Sequence, residues 1–266
     1  MNWGLLGILF AAALVCCCMG FLRFVWFRSV GYGYAVAGIA AATLLYGAAT
    51  KSMTIPLAIA LLVCFAYGLR LGTFLLKREK GNRAYKKVLD TKVGKEPPVF
   101  VKAVAWPFMG ALYVCETAGL HFRVANGSGD DWALYVGIVV MACGAVIEAL
   151  ADAQKSAQKA KNPDMPAMEG LFKMVRCPNY FGEILFWTGV FVSGLSIYRG
   201  VGQWVIAAIG YVGILYVMLD GAKRMEKGHI ARYGAKPAYQ TYAEKTPLIF
   251  PLIPLYHLYD PEKAKK

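Results

Sequence analysis

Glu148, Asp152, Lys155 and Lys159 follow one another at steps of four, three and four residues. On a helix those steps place all four side chains on one face. The face begins inside a long apolar block and ends in polar sequence, so it starts in a membrane and emerges from it. A carboxylate near the membrane end of a helix is costly without a partner or water, which makes Glu148 a candidate for function. The plainer alternative is a ladder of i,i+3 and i,i+4 ion pairs, worth about 0.3 kcal/mol each.

A second group is Arg176-Cys177-Pro178-Asn179-Tyr180-Phe181-Gly182-Glu183. Pro178 suits the first turn of a helix, where its missing N–H costs nothing. Asn179 and Glu183 then share a face at the start of that helix, with Arg176 just outside it. The free N–H groups at such a start attract an anion. Capping and interhelical hydrogen bonding are the structural alternative. A third group lies in the tail: Arg224, His229, Arg232 and Tyr233, then Tyr239, Tyr242 and Thr246-Pro247. Arg and Lys can hold phosphates there, and tyrosines a flat ring. Anionic lipid could equally explain the cations. Taken together, the carboxylates, amides, cations and tyrosines suit a phosphorylated dinucleotide, although adenosylmethionine would also want carboxylates and aromatics.

These groups must be positioned by membrane helices. The chain is 58% hydrophobic, 17% charged, and has a mean hydropathy of +0.46. Its apolar residues form seven blocks, at 3–22, 32–50, 53–76, 99–120, 132–151, 180–198 and 201–219. Each approaches the roughly 20 residues that cross a bilayer. Hydrocarbon offers no partner for a free backbone group, so each block must be helical. The expected fold is an all-α polytopic bundle of about seven spans, read as a single membrane domain over 1–266.

The net charge of +13 follows the positive-inside rule and does not signal nucleic acid. Loop 77–98 carries eight Lys/Arg, segment 152–179 five and the tail 220–266 nine, whereas the opposite connections hold only Lys51, Arg123 and Arg199. Seven alternating spans put every basic segment in the cytosol, with the N-terminus outside and the tail cytosolic. The first block lacks a basic leader and reads as a retained span. The seven cysteines show no metal-ligand spacing, so no metal site is expected. Gly31-Tyr32-Gly33 mimics the opening of a dinucleotide fingerprint but has no strand before it. Close helix packing is the better reading there, as for Gly68 and Gly72.

The order of the three groups resembles the C-terminal domain of the steroid 5-alpha-reductase family, in its bacterial-type branch. Glu148, Asp152, Gln154 and Lys155 stand where that branch carries Glu-x-x-x-Asp-x-Gln-Lys. Gly170-Leu171-Phe172, Arg176 through Glu183, Arg232-Tyr233-Gly234, Pro237, Tyr239, Tyr242 and Thr246-Pro247 continue the pattern. The resemblance covers roughly residues 145–255 and is most specific at Asn-Tyr-Phe-Gly-Glu. It implies NADPH held in the cytosolic half of the bundle, with 130–255 as the cofactor-binding region and 1–120 as substrate-side helices. Cofactor contacts are implied at Glu148, Asp152, Lys155, Lys159, Arg176, Asn179, Tyr180, Glu183, Arg224, His229, Arg232 and Tyr233. The implied reaction is hydride transfer to an activated C=C of a lipophilic sterol-like, isoprenoid or acyl substrate that enters from the bilayer.

Two departures stand out. Cys177 replaces a usual histidine, and the first three apolar blocks contain no Asp or Glu to polarise a carbonyl. Tyr67, Tyr113 and Glu116 are the candidate proton donors. The competing functions are an adenosylmethionine-dependent methyltransferase of the isoprenylcysteine or phospholipid type, which shares an Arg-His-Pro-x-Tyr core and a basic tail, and a non-catalytic membrane protein. The membrane is the bacterial inner membrane or the endoplasmic reticulum. Reporter fusions check the orientation. A fluorescent protein joined behind residue 161 or 245 should fluoresce in the cytosol, and alkaline phosphatase joined behind residue 128 should be active outside; the reverse pattern refutes the topology.

Overall fold

The computed structural model describes residues 1–81 and 96–252; residues 82–95, which include most of the basic loop, and the last part of the tail lie outside the described residues. The described chain is all-helical. Its α-helices are α1 (Trp3–Cys17), α2 (Val30–Ala49), α3 (Ile55–Gly81), α4 (Val99–Glu116), α5 (Ala118–Asn126), α6 (Trp132–Lys161), α7 (Pro178–Gly194), α8 (Gly200–Tyr233) and α9 (Pro237–Lys245). Six apolar stretches, one in each of α1–α4, α6 and α8, are long and apolar enough to cross a membrane, and the protein is an integral membrane protein. The sixth expected span is α7, whose 17 residues sit at the short end of the spanning range.

Local chemistry sets the helix ends. The Asn2 side chain accepts from the Leu5 amide at 3.1 Å and starts α1. Asp131 does the same for Leu134 at 3.1 Å and starts α6. Gly127 ends α5 with φ +57, a conformation that glycine adopts at little cost. Pro178 and Pro237 occupy the first positions of α7 and α9.

Helix lengths depart from the apolar blocks in an informative way. The fourth block is split at Thr117, whose hydroxyl bonds the carbonyls of Tyr113 and Val114. α3, α6 and α8 outrun their blocks, ending at Gly81, Lys161 and Tyr233. The apolar stretch sets only the membrane-buried part of a helix, and the polar continuation needs no lipid. One consequence corrects an expectation: α3 does carry a carboxylate. Glu79 is 5% exposed, pairs with Arg23, and accepts from Trp26 Nε1 at 2.6 Å.

The chain forms two compact units. The first contains α1–α5, α6 up to Met141, and Thr188–Gly213. Within it α2 and α3 touch backbone to backbone. A Cβ on Gly68 would lie 2.6 Å from the Gly33 carbonyl oxygen, and one on Gly33 would lie 2.7 Å from the Gly72 Cα. The apparent fingerprint at Gly31-Tyr32-Gly33 is therefore a packing site, as its membrane context implied.

The loop before α6 is clasped by Arg123, which is 0% exposed. Its Nε donates to the Ser193 carbonyl at 2.6 Å, and its other nitrogens reach Gly129 O at 2.9 Å, Asp131 Oδ1 at 2.6 Å and Ser196 Oγ at 3.1 Å. Asn126 and Gln203 exchange side-chain hydrogen bonds at 3.0 and 2.9 Å. Trp3, Trp132 and Trp204 are exposed at or near the starts of α1, α6 and α8. Indoles favour the headgroup level, so these positions suit one membrane interface.

The second unit contains Ala142–Trp187 and the chain from Ile214 onward. There α6 and α7 pack as tightly: a Cβ on Gly144 would lie 2.6 Å from the Gly182 carbonyl, and one on Gly182 would lie 2.6 Å from the Glu148 nitrogen. A larger side chain at either contact must push two backbones apart. Gly68→Leu and Gly144→Leu should each cost about 3 kcal/mol of stability, read as a fall in thermal midpoint in detergent. Gly7→Leu, where nothing lies within 4 Å, should leave the midpoint unchanged.

Candidate functional site

All twelve residues implied as cofactor contacts fall in the second unit, and Tyr67, Tyr113 and Glu116 fall in the first. In the second unit the Gly144–Gly182 contact brings the exit of α6 against the entry of α7. Glu148, Asp152 and Glu183 are buried there, at 2%, 6% and 7% exposure. Asn179 sits in the first turn of α7, one turn before Gly182. Its Oδ1 is buried and has no hydrogen-bond partner among the described residues. α8 supplies the third wall. The Tyr180 ring lies 3.6 Å from where a Cβ on Gly221 would be, and Lys155 Nζ lies 3.9 Å from Met225 Sδ.

Two glutamines one turn apart on α6 shape the segment between α6 and α7. Gln158 Oε1 accepts from the Met168 and Glu169 amides at 2.9 Å each, and its Nε2 donates to the Glu169 carbonyl at 3.0 Å. Gln154 Oε1 accepts from the Leu171 amide at 2.9 Å. Gly170, at φ +68, lets the chain turn directly over Gln154. The Gly-Leu-Phe element of the sequence pattern is thus a bracket on α6, with Phe172 packed against Ala151 and Ala167.

Beyond that bracket three cations converge on one ring. Lys159 Nζ, Arg232 Cζ and Lys236 Nζ lie 5.5, 5.3 and 5.8 Å from the centre of Tyr233. Lys159 donates to the carbonyls of Pro163 and Met165 and to the Tyr233 hydroxyl at 3.1 Å. Lys236 donates to the Asp164 carbonyl at 2.7 Å. No ion pair joins any of the three to a carboxylate among the described residues. Three like charges held by neutral carbonyls repel one another and favour a multiply charged anion.

The other predicted residues are placed differently. Arg176 turns inward and pairs with Glu226, both side chains 1% exposed or less. Arg224 is exposed and pairs with Asp220 on its own helix. His229 packs edge-on against Tyr233 and Tyr239, at ring separations of 5.6 and 6.3 Å. Cys177 is fully buried, its amide donates to the Leu248 carbonyl at 2.9 Å, and burial pushes its thiol up to about 12. It fills space where the related pattern has a histidine. In the first unit Tyr113 donates to the Phe27 carbonyl at 2.5 Å, Tyr67 lies 5.9 Å under the Arg70 guanidinium, and Glu116 is 6% exposed.

Two residues of this region were not singled out by the sequence. Glu226 lies three and seven residues before His229 and Tyr233, a helical spacing that marks one face. Lys236 precedes Pro237 and carries no such signal; only the fold takes it to Tyr233.

Neither the curated proteins nor the solved structures contain a match to the chain. One family model does match: that of the protein of unknown function DUF1295, over residues 22–246. DUF1295 lies in the steroid 5-alpha-reductase-like group. With a match over most of its length, and a helical membrane fold in agreement with it, the chain belongs to the DUF1295 family.

Proposed function

We propose that the protein is a membrane-bound, NADPH-dependent reductase that delivers hydride to an activated C=C of a lipophilic substrate. The observation that carries this reading is the trio Lys159, Arg232 and Lys236 around Tyr233. The 2′-phosphate that distinguishes NADPH from NADH supplies the multiply charged anion such a trio favours. Adenosylmethionine has no phosphate and carries a sulfonium cation, so the trio speaks against a methyltransferase.

The neighbouring groups support the same ligand. Asn179 Oδ1 has the buried acceptor that a carboxamide NH2 or a ribose hydroxyl requires. Asp152, Glu148 and Glu183 are carboxylates suited to ribose hydroxyls. NADPH would supply the hydride. The protein's share is to hold the phosphates, orient the ring and keep water out. A sterol-like, isoprenoid or acyl substrate would come from the bilayer. The proton for the developing enolate is proposed to come from Tyr67, Tyr113 or Glu116. Tyr113 would have to release the Phe27 carbonyl to serve.

Titration of the detergent-solubilised protein tests the reading. NADPH should bind more tightly than NADH, and adenosylmethionine should not compete. Lys159→Ala and Arg232→Ala should each weaken NADPH about 10- to 100-fold, the range for one charged hydrogen bond of roughly 1.5–3 kcal/mol, while leaving NADH nearly unchanged. Equal affinity for the two nucleotides, or preference for adenosylmethionine, refutes it.

A further inference from the structure

A buried ion pair ties α8 to the start of α7. Arg176 and Glu226 have side-chain exposures of 1% and 0%. Tyr239, itself 0% exposed, donates to Glu226 Oε1 at 3.1 Å. The second carboxylate oxygen, Oε2, is buried with no hydrogen-bond partner among the described residues. Burying two charges and leaving one oxygen unsatisfied is a poor way to gain stability. Well-packed apolar residues often serve as well or better. What such a pair does supply is direction, because a buried charge tolerates few arrangements of its partner.

The surrounding contacts state what is being directed. The Arg176 amide donates to the Pro247 carbonyl at 2.9 Å, and the Cys177 amide to the Leu248 carbonyl at 2.9 Å. Tyr242 donates to the Phe172 carbonyl at 2.7 Å. The Phe172 carbonyl, the Arg176 side chain and the amides of Arg176 and Cys177 are therefore held from α8, from α9 and from the segment that follows α9. Pro178 and Asn179 come next, and they begin α7. The side chain of Arg176 and the amides of Arg176 and Cys177 are held by residues fifty or more positions later.

We propose that Glu226 is a positioning residue: through Arg176, and together with Tyr239, it latches the C-terminal segment over the Arg176–Asn179 turn and so sets the Asn179 amide for the nucleotide. This rests on the reading of the site as a nucleotide site. The latch makes the C-terminal segment part of the site without its touching the ligand. Loosening the latch should cost affinity while the rest of the bundle stays intact.

Glu226→Gln keeps the shape and the acceptor for Tyr239 and removes the charge. Tyr239→Phe keeps the ion pair and removes one hydrogen bond, a milder version of the same loss. Each full-length variant is read by amide hydrogen exchange and by NADPH titration. The expected result is exchange at 174–179 at least 10-fold faster in Glu226→Gln, with exchange in α2 and α3 unchanged, and NADPH affinity at least 10-fold weaker. Tyr239→Phe should move both readouts the same way by about 3-fold. Exchange at 174–179 that is unchanged, or that rises equally across the protein, overturns the latch, and so does wild-type NADPH affinity in either variant. If the wild-type protein binds no NADPH, the functional reading fails, and the exchange measurement alone then decides whether the latch exists.

Discussion

Hydrocarbon offers a peptide group nothing to bond to, and that single constraint organises this protein. It forces helices wherever the chain is apolar. It also removes the usual drive for helices to associate, since lipid is as apolar as leucine. Association then depends on close approach. The glycine contacts answer that need, Gly33 with Gly68 and Gly72 in one unit and Gly144 with Gly182 in the other. The second contact has a further effect. By letting two backbones meet, it places Glu148 beside the entry of α7, and the polar groups of both helices line up where the apolar stretches give out.

The membrane architecture was legible because it rests on composition and length, which are local. So were the face carrying Glu148 and Asp152, the start of α7 at Pro178, and the packing role of Gly33. Each depends on residues a few positions apart. Helix ends were harder to read. An apolar block marks what lies in lipid, and α6 and α8 run well past theirs, to Lys161 and Tyr233. Glu79 was misplaced for the same reason: the residues after 76 look like loop by hydropathy, yet they continue α3.

What escaped the sequence is mostly long-range pairing. Arg176 reads as an exposed cation at a helix start, and only the fold brings Glu226 to it. Lys236 has no periodicity to mark it, yet it stands with Lys159 and Arg232 on Tyr233. Arg123 looks like one of a few cations in an outer loop, and the structure turns it into a clasp with every direction filled. In each case the type of residue was informative and its partner was not. A charge announces that a counter-charge, a carbonyl or a ligand must exist, and it leaves open which.

The tie between Arg176 and the segment after α9 bears on how the protein is made. A chain leaves the ribosome from its N-terminus, and earlier segments generally fold first. α1–α3, joined by near neighbours, can pack as soon as they enter the bilayer. Arg176 and Cys177 emerge well before Glu226, Pro247 and Leu248, so for part of synthesis the Arg176 charge lacks Glu226 and the two backbone amides lack their carbonyls. The second unit can reach its final form only after translation has passed the tail. A ribosome stalled or a chain cut between α8 and that tail would leave an inserted protein whose membrane helices are in place and whose second unit is unfinished.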